Sequence, residues 1–334
     1  MNEFECIEKY FAPLSAAAEG ALGLKDDAFI MSPKAGHQVV VSKDIISENI
    51  HFTFDLDSHS GEKIEPAYVA RKLLRGNLSD MAAMGAKPKY YLLGVLWNHT
   101  VNEAWIESFV SGLAEDQKHF GVTLVGGDTV KREDGRISLS MTVIGEVKKD
   151  HALKRSGAKV GDKIYVTGTI GDGALGLLAF RGAVKGLTRE QRDFLVERYH
   201  LPEPRHEVMA KLAEAGVVSA AIDVSDGLMA DIDHVLAASK VGATIDRSAI
   251  PLSHAAADSL KHDTKLWDVV LSGGDDYEVA FTVPADKAKE MEALAKEQGT
   301  PVTCIGKITA GKELEVLDAE GKPYSPDRRG YRHF

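Results

Sequence analysis

Cysteine is scarce in this sequence: Cys6 and Cys304 are the only two among 334 residues. Neither has a cysteine or histidine neighbour at the spacing of a zinc site, so we interpret both as ordinary residues. Two cysteines are also too few for the disulfide framework of a small secreted domain. The acidic amino-terminal stretch lacks a basic region followed by a long apolar run, so it does not resemble a secretory signal. These features predict a protein of the reducing cytoplasm.

Long apolar runs and excess positive charge are absent as well. No run of about 18 apolar residues occurs, so we expect no membrane-spanning helix. Asp and Glu number 50 and Lys and Arg number 40, which gives a formal net charge of −10. That balance argues against general binding to nucleic acid or to anionic membranes. It does not exclude a nucleotide substrate, because bound metal ions can reverse the local charge.

Two common nucleotide-binding signatures are missing, and a third is a poor match. The sequence has no P-loop motif and no protein-kinase set of HRD and DFG motifs. The stretch GDGALG (171–176) fits G-x-G-x-x-G after a strand-like segment. A dinucleotide site also needs an acidic residue about 20 positions later, at the end of a second strand. That region is polar and helical in pattern, so we interpret these glycines as a tight turn with close helix packing.

The length and the order of the elements predict two α/β domains, because 334 residues exceed one ordinary core. We place the boundary near residue 150, in the basic, glycine-containing stretch KKDHALKRSGAKVGD. The domains are therefore expected at 1–150 and 151–334. Helices are predicted over 66–84, 102–121 and 285–298. Strands are predicted at FIMS (29–32), HQVVVS (37–42), KYYLLGVLW (89–97), VTLVGG (122–127), ISLSMTVIGEV (137–147), KIYVTG (163–168), the entry to AIDVSDG (221–227), YEVAFTV (277–283) and VTCIGKI (302–308).

Aspartates carry the strongest chemical signal. For any single one, a helix cap or a turn is the default interpretation. Asp80 fits that interpretation least. It lies among apolar residues on a predicted helix, where a carboxylate is costly unless it is paired or bound to a metal. Asp128 and Asp275 each follow two glycines, which allow a backbone to approach a ligand closely. Mg²⁺ prefers such oxygen ligands and is usually held by a few carboxylates and substrate phosphates. The full set is Asp26, Asp27, Asp44, Asp80, Asp128, Asp223, Asp226, Asp275 and Asp276.

Two short motifs recur in the same order in the two halves of the sequence, which is weak evidence of an internal repeat. NLSD (77–80) precedes GGDT (126–129), and DVSD (223–226) precedes GGDD (273–276). The aspartates of each pair, taken at 80 and 128 and at 226 and 275, are 48 and 49 residues apart. Two related half-domains would explain this recurrence, and so would coincidence between short motifs.

The same residues resemble those of a known family. The chain is similar to bacterial thiamine-monophosphate kinases, within the superfamily that includes aminoimidazole ribonucleotide synthetase and selenophosphate synthetase. The resemblance covers nearly the whole chain, and the combination in this order is highly specific. It rests on DDA (26–28), IHF (50–52), NLSDMAAMGAKP (77–88), GGDT (126–129), RSGAKVGD (155–162), YVTGTIGD (165–172), DVSDGL (223–228), LSGGDDYEVAFTV (271–283) and GYRHF (330–334).

This resemblance implies a fold, a reaction and a set of site residues. The fold would be α/β (α+β), with an N-terminal mixed sheet that forms a barrel across a homodimer and a C-terminal α/β domain. ATP would phosphorylate thiamine monophosphate to thiamine diphosphate, with several Mg²⁺ ions and no phosphoenzyme. The implied metal ligands are Asp27, Ser42, Lys43 through its backbone, Asp44, Asp80, Asp128, Asp223 and Asp226, with Asp128 and Asp226 also catalytic. Implied ATP contacts are Gly127, Asp128, Arg155 and Ser225, and implied thiamine-substrate contacts are His51, Asp275 and Tyr331.

Three positions depart from the family pattern. Lys25 stands where glycine is usual, Lys43 where threonine is usual, and Asp275 where glutamate is usual. They leave open a nucleotide-binding homologue without kinase activity. A sister synthetase is the other alternative. Cys6 lies in a helix-like segment and not in the glycine-rich loop that carries the reactive residue of selenophosphate synthetases, which counts against that enzyme.

Overall fold

A computed structural model describes residues 2–54, 63–326 and 330. The chain divides into two compact units. Unit 1 comprises Met1–Met81 and Lys87–Lys149, and unit 2 comprises Ala82–Ala86 and Asp150–Phe334. No helix in the described ranges is long and apolar enough to cross a membrane.

Unit 1 is built on a four-stranded mixed sheet in the order β1-β4-β2-β3. Strands β2 and β3 are parallel, and β4 pairs antiparallel with both β1 and β2. Short 3₁₀ and π turns at Ile7–Phe11, Ala12–Ser15 and Glu19–Leu24 precede the sheet. The elements are α1 (Glu3–Cys6), β1 (His37–Ser47), α2 (Pro66–Ala83), β2 (Lys87–Trp97), α3 (Glu103–Phe120), β3 (Thr123–Lys131) and β4 (Ser138–Lys148).

One face of this sheet is covered by helices. Helix α2 buries Leu73, Leu78 and Met81, and the sulfur of Met81 lies against Gly145 of β4. Helix α3 begins after Asn102, whose side chain accepts a hydrogen bond from Trp105 N at 2.9 Å, and ends at a left-handed glycine. The helices predicted over 66–84 and 102–121 are therefore confirmed.

The opposite face of the sheet is only partly covered. The amino-terminal turns pack Ala18 and Ala21 against Val125 of β3. On the edge strand β1, Val41 is 60% exposed and Ile45 is 57% exposed. An apolar strand face that remains open to solvent is unusual for a stable monomer.

Unit 2 is built on a seven-stranded sheet in the order β11-β10-β7-β9-β5-β8-β6. Its pairs are antiparallel except for the parallel pair β10 and β7. The strands are β5 (Lys163–Thr167), β6 (Ala220–Val224), β7 (Gly242–Asp246), β8 (Glu278–Val283), β9 (Val302–Thr309), β10 (Leu314–Leu317) and β11 (Pro323–Tyr324). The helices are α4 (Asp172–Phe180), α5 (Arg189–His200), α6 (His206–Ala215), α7 (Leu228–Ser239), α8 (His254–His262), α9 (Leu266–Ser272) and α10 (Ala288–Glu297).

Both faces of the central strands in unit 2 are buried. Along β5, Ile164 and Val166 belong to one apolar cluster, and Tyr165 belongs to the other. Every residue of β6 and β8 is buried, as expected for strands with helices on both sides. Because β5 pairs antiparallel with both of its neighbours, GDGALG does not open a parallel βαβ dinucleotide unit. The interpretation of these glycines as a turn is confirmed.

Some local predictions were wrong or incomplete. Residues 29–32 form no strand, because Ile30 N donates to Gly20 O at 3.0 Å and the segment folds onto the amino-terminal turns. The predicted helix over 285–298 begins later as an α-helix, after a 3₁₀ turn at Ala285–Lys287. Strands β7, β10 and β11 were not predicted, since they are short and their burial depends on distant neighbours.

Candidate active site

Ser42, Asp44 and Asp80 come together on the helix-covered face of unit 1. Ser42 and Asp44 are two residues apart on β1 and therefore point to the same face. The hydroxyl of Ser42 donates a hydrogen bond to Asp80 Oδ2 on α2. Burial, and then the negative charge of Asp80, raises the pKa of Asp44 to about 6. The structure thus holds two mutually repelling carboxylates and a hydroxyl close together, an arrangement that a cation would stabilise.

Lys43 points to the opposite face of β1. Its Nζ donates to Ser140 Oγ on β4 at 2.5 Å. This face borders a cavity of about 410 Å³, whose lining includes Lys43, Asp26, Asp27, Gly127 and Asp128. The aspartates predicted on unit 1 therefore form two groups, Asp44 with Asp80 on one face and Asp27 with Asp128 around the cavity.

Asp128 lies within β3 and not after its end, which corrects the predicted strand boundary. The preceding glycine also has a structural reason. A Cβ atom at Gly127 would lie 2.0 Å from the carbonyl oxygen of Leu93 on β2, so only glycine fits. The close approach that Gly127 allows in this structure is to the neighbouring strand.

In unit 2, Asp223 is a buried residue of β6, and Ser225 and Asp226 lie in the loop between β6 and α7. Asp231, in the first turn of α7, holds that loop. Its Oδ2 accepts hydrogen bonds from the backbone N–H groups of Ser225, Asp226 and Gly227 at 3.0, 3.1 and 3.1 Å. Burial, and then the negative charge of Asp226, raises the pKa of Asp231 to about 7.

A second loop of unit 2, residues 273–277, lies directly against the first. Asp275 N donates to Ser225 O at 2.9 Å, and Tyr277 N donates to Val224 O at 2.8 Å. A Cβ at Gly274 would lie 2.2 Å from Ser225 O, so the contact requires glycine. Asp275 itself has a positive φ of 70°, a conformation that L-residues rarely adopt.

The two neighbouring aspartates of this second loop have different environments. Asp276 is 2% exposed, and its carboxylate accepts hydrogen bonds from Gly171 N at 2.7 Å and Gly173 N at 2.9 Å, at the start of α4. Burial raises the pKa of Asp276 well above its usual value. Asp275 is only partly buried. Asp276 therefore anchors the loop, while Asp275 is the one accessible to a ligand.

Arg155, His51 and Tyr331 are the remaining predicted site residues. The carbonyl of Arg155 accepts from Ser239 Oγ at 3.1 Å, at the far end of α7 from Ser225. A helix of 12 residues spans about 18 Å, so Arg155 is not a neighbour of that loop. His51 caps the end of β1, where its Nδ1 accepts from Ser47 N at 3.1 Å. Tyr331 lies outside the described residues, although Gly330 packs against Ala230 and Asp226 O.

The donor chemistry of these residues fits Mg²⁺. Carboxylate and hydroxyl oxygens are its usual protein ligands, and Ser42, Asp44 and Asp80 provide only oxygen. Within residues 2–54, 63–326 and 330, no three His, Cys, Asp or Glu side chains lie close enough together to hold a metal ion. Mg²⁺ usually takes few protein ligands and completes its shell with water and substrate phosphates.

Comparison with known proteins identifies the family. Residues 25–147 match the N-terminal domain of AIR synthase related proteins, and residues 159–319 match the C-terminal domain. The chain belongs to the AIR synthase related family. Within this family, it is 37% identical over 335 residues to the thiamine-monophosphate kinase of Escherichia coli K12, covering 100% of this chain and 98% of that protein.

Solved structures of the family agree with this assignment. The thiamine-monophosphate kinase of Stenotrophomonas maltophilia K279a is 34% identical, with a TM-score of 0.77 over 90% of this chain and 91% of that chain. AaThiL complexed with AMPPCP and TMP is 26% identical, with a TM-score of 0.76 over 91% and 89%. The expected two-domain α/β fold is confirmed, and the N-terminal sheet is open within one chain.

Asp231 and the anchoring role of Asp276 were missed by sequence reasoning. A signal for Asp231 existed, because acidic residues in the first turn of a helix often bind unpaired backbone N–H groups. For Asp276 there was no local signal, since its partners at Gly171 and Gly173 are more than 100 residues away in the chain.

Proposed function

We propose that this protein is a thiamine-phosphate kinase. It transfers the γ-phosphoryl group of ATP to the phosphate of thiamine monophosphate, which gives thiamine diphosphate and ADP. The observation that carries the proposal is the full-length similarity to thiamine-monophosphate kinases, at 37% identity for the Escherichia coli protein. The complex of AaThiL with AMPPCP, an analogue of ATP, and TMP supports both substrates.

Mg²⁺ is the proposed metal, with several ions bound during the reaction. On unit 1, the proposed ligands are the oxygens of Ser42, Asp44 and Asp80, the backbone of Lys43, and the cavity residues Asp27 and Asp128. On unit 2, they are Asp223 and Asp226. Bound Mg²⁺ neutralises phosphate charge and orients the phosphates. The close, repelling pair Asp44 and Asp80 is the main structural support for this assignment.

The family resemblance supplies the proposed substrate contacts, and the structure supports those in the cavity of unit 1 and in the two loops of unit 2. Gly127, Asp128 and Ser225 contact ATP, as does Arg155. His51, Asp275 and Tyr331 contact the thiamine substrate. Asp275 is supported best among these three, because its backbone is anchored while its side chain stays partly exposed.

No strong general base is needed, since the acceptor is already an anionic phosphate. Asp128 and Asp226 are the proposed catalytic residues, and they act by positioning charge rather than by taking a proton. Phosphoryl transfer of this kind depends mainly on in-line alignment and electrostatic stabilisation. We therefore propose direct transfer without a phosphoenzyme.

A homodimer is the proposed assembly, with the β1 edge of unit 1 covered by a second copy. Val39, Val41 and Ile45 present an exposed apolar stripe on that edge, at 42, 60 and 57% exposure. A barrel formed by the two four-stranded sheets would bury it. We expect Val41→Glu to shift the mass measured by light scattering from dimer to monomer. The matched change Val160→Glu, on an exposed valine of unit 2, should leave the mass unchanged.

The proposed location is the cytoplasm, and no nucleic acid or membrane partner is proposed. The net charge of −10 and the two unpaired cysteines support this. Cell fractionation and a carboxy-terminal fluorescent fusion would test this location.

A direct assay tests the function. Purified protein is incubated with ATP, Mg²⁺ and thiamine monophosphate, ADP release is followed by a coupled assay, and thiamine diphosphate is identified by chromatography. Thiamine and selenide replace thiamine monophosphate in parallel reactions. We expect thiamine diphosphate only with thiamine monophosphate. ATP binding without any product would instead indicate a homologue that lost the reaction, and activity with selenide would indicate a sister synthetase.

A further inference from the structure

The loop that carries Ser225 and Asp226 has little regular structure to support it. It lies after the last residue of β6 and before the first residue of α7, so its N–H groups have no partners in a strand ladder or in a helix. Asp231 accepts hydrogen bonds from all three of these groups through one oxygen, at 3.0 to 3.1 Å.

The carbonyl side of the same loop is also held. Ser225 O accepts from Asp275 N at 2.9 Å, and Val224 O accepts from Tyr277 N at 2.8 Å. The Ser225 residue is therefore fixed through its N–H by Asp231 and through its carbonyl by the second loop. Since Asp231 is only 3% exposed, its carboxylate faces inward and is not available as a substrate contact.

We propose that Asp231 is a positioning residue for the phosphoryl transfer, which holds Ser225 and Asp226 in the geometry that Mg²⁺ and ATP require. This inference rests on the proposed function. Asp231 makes no contact with the substrate. It acts through the backbone of the loop and is needed for the rate of phosphoryl transfer. A displacement of about 1 Å in such a group can reduce a rate about 100-fold.

Asp231→Asn is the test, because asparagine keeps the shape of the side chain and one acceptor oxygen but removes the charge. Asp162→Asn is the matched control. Asp162 is 5% exposed and binds Lys159 N at 3.0 Å and Ser219 Oγ at 2.7 Å. Ser219 directly precedes β6. The contact between Asp162 and Ser219 is therefore separated from the loop at 225–227 by the five residues of β6, which span about 16 Å.

Three quantities are measured for both variants: kcat, the Mg²⁺ concentration for half-maximal rate, and the free energy of unfolding. We expect Asp231→Asn to lower kcat about 10- to 100-fold and to raise the Mg²⁺ requirement severalfold. Asp162→Asn should lose similar stability and keep kcat within about twofold of wild type. If Asp231→Asn does not fold, Asp231→Glu, which retains the charge one methylene further out, replaces it with the same expectation.

A second readout does not depend on kinase activity. Hydrogen–deuterium exchange of the backbone amides at 225–227 should be faster in Asp231→Asn and unchanged in Asp162→Asn, because the three acceptor contacts are weakened only in the first. Wild-type kcat and Mg²⁺ requirement in a folded Asp231→Asn would overturn the proposal, and so would unchanged exchange. If wild type makes no thiamine diphosphate, the proposed function fails, while the exchange data still decide whether Asp231 holds the loop.

Discussion

The two Ser-Asp motifs of this protein have similar sequences and different structures. Ser79 and Asp80 lie inside α2, where the helix backbone is already hydrogen-bonded. Ser225 and Asp226 lie in a loop, where the backbone is held by Asp231 and by residues 275 and 277. The Gly-Gly-Asp motifs differ in the same way, since Asp128 lies in β3 and Asp275 in a loop. The Ser-Asp and Gly-Gly-Asp motifs that recur in the two halves therefore do not form a structural repeat.

This difference shows two ways to place a carboxylate. On unit 1, a regular element holds the residue, and packing of α2 against β1 brings Asp80 to Ser42 and close to the charge of Asp44. On unit 2, a short loop carries the half-buried Asp226, and buried groups such as Asp231 replace the missing secondary-structure hydrogen bonds. The site on unit 2 should thus depend more on residues that never touch a substrate.

The largest expected effect is that of Asp226→Asn. It removes a proposed metal ligand and catalytic charge from the loop of unit 2, while the backbone contact to Asp231 remains. We expect kcat to fall by about 100- to 1,000-fold, as for other preorganised electrostatic groups. Steady-state kinetics with saturating Mg²⁺ measure this, and circular dichroism checks the fold. Near wild-type kcat would contradict the assignment of Asp226.

Asp80→Asn tests the corresponding aspartate of unit 1. We expect a drop in kcat of about 100-fold, together with unchanged or higher stability of the metal-free protein. The reason is that the charge of Asp80 opposes that of Asp44, so its removal relieves repulsion. Thermal unfolding in EDTA measures the stability. A large loss of stability would show that Asp80 supports the helix, and would oppose a role as a metal ligand.

Gly127→Ala tests whether the Gly-Gly-Asp motif of unit 1 is a structural requirement. Its Cβ would lie 2.0 Å from Leu93 O, so β2 and β3 must separate. We expect a loss of about 1–3 kcal/mol in the free energy of unfolding, measured by urea denaturation. Gly94→Ala is the control on the neighbouring strand, where the nearest atom is 3.6 Å from the added Cβ. Equal losses in the two variants would contradict the packing argument.

The smallest expected effect is that of Lys43→Thr. Lys43 lines the cavity with Asp27 and Asp128, so its ammonium group contributes positive charge there. We expect kcat to change less than about twofold and the Mg²⁺ concentration for half-maximal rate to rise severalfold, since Mg²⁺ must supply the missing charge. Lys87→Thr, on an exposed lysine of β2 outside the cavity lining, is the control. An unchanged Mg²⁺ requirement would show that the Lys43 charge does not act on the bound ions.

Much of the fold was predictable because its signals are local. Pro66, Asn102 and Gly121 mark helix ends through their own backbone chemistry, and the alternation of β1 predicts that Lys43 and Asp44 face opposite sides. The family resemblance also predicted the two-domain fold and the kinase relatives, because long motifs in a fixed order rarely coincide. The strand predicted at residues 29–32 was wrong, since Ile30 N donates to Gly20 O and Phe29 packs against Tyr90 of β2, and the segment does not pair in a sheet.

The sequence by itself determined the residue types of the site and placed them in or next to strands, on one helix and in glycine-containing loops. Only the tertiary structure decided which of them meet. It paired Asp80 with Ser42, separated Asp27 and Asp128 from that pair, and assigned the anchoring of the two loops of unit 2 to Asp231 and Asp276. The physical reason is that such contacts join residues far apart in the chain, so they depend on how helices and strands pack and not on the local backbone preference of any residue.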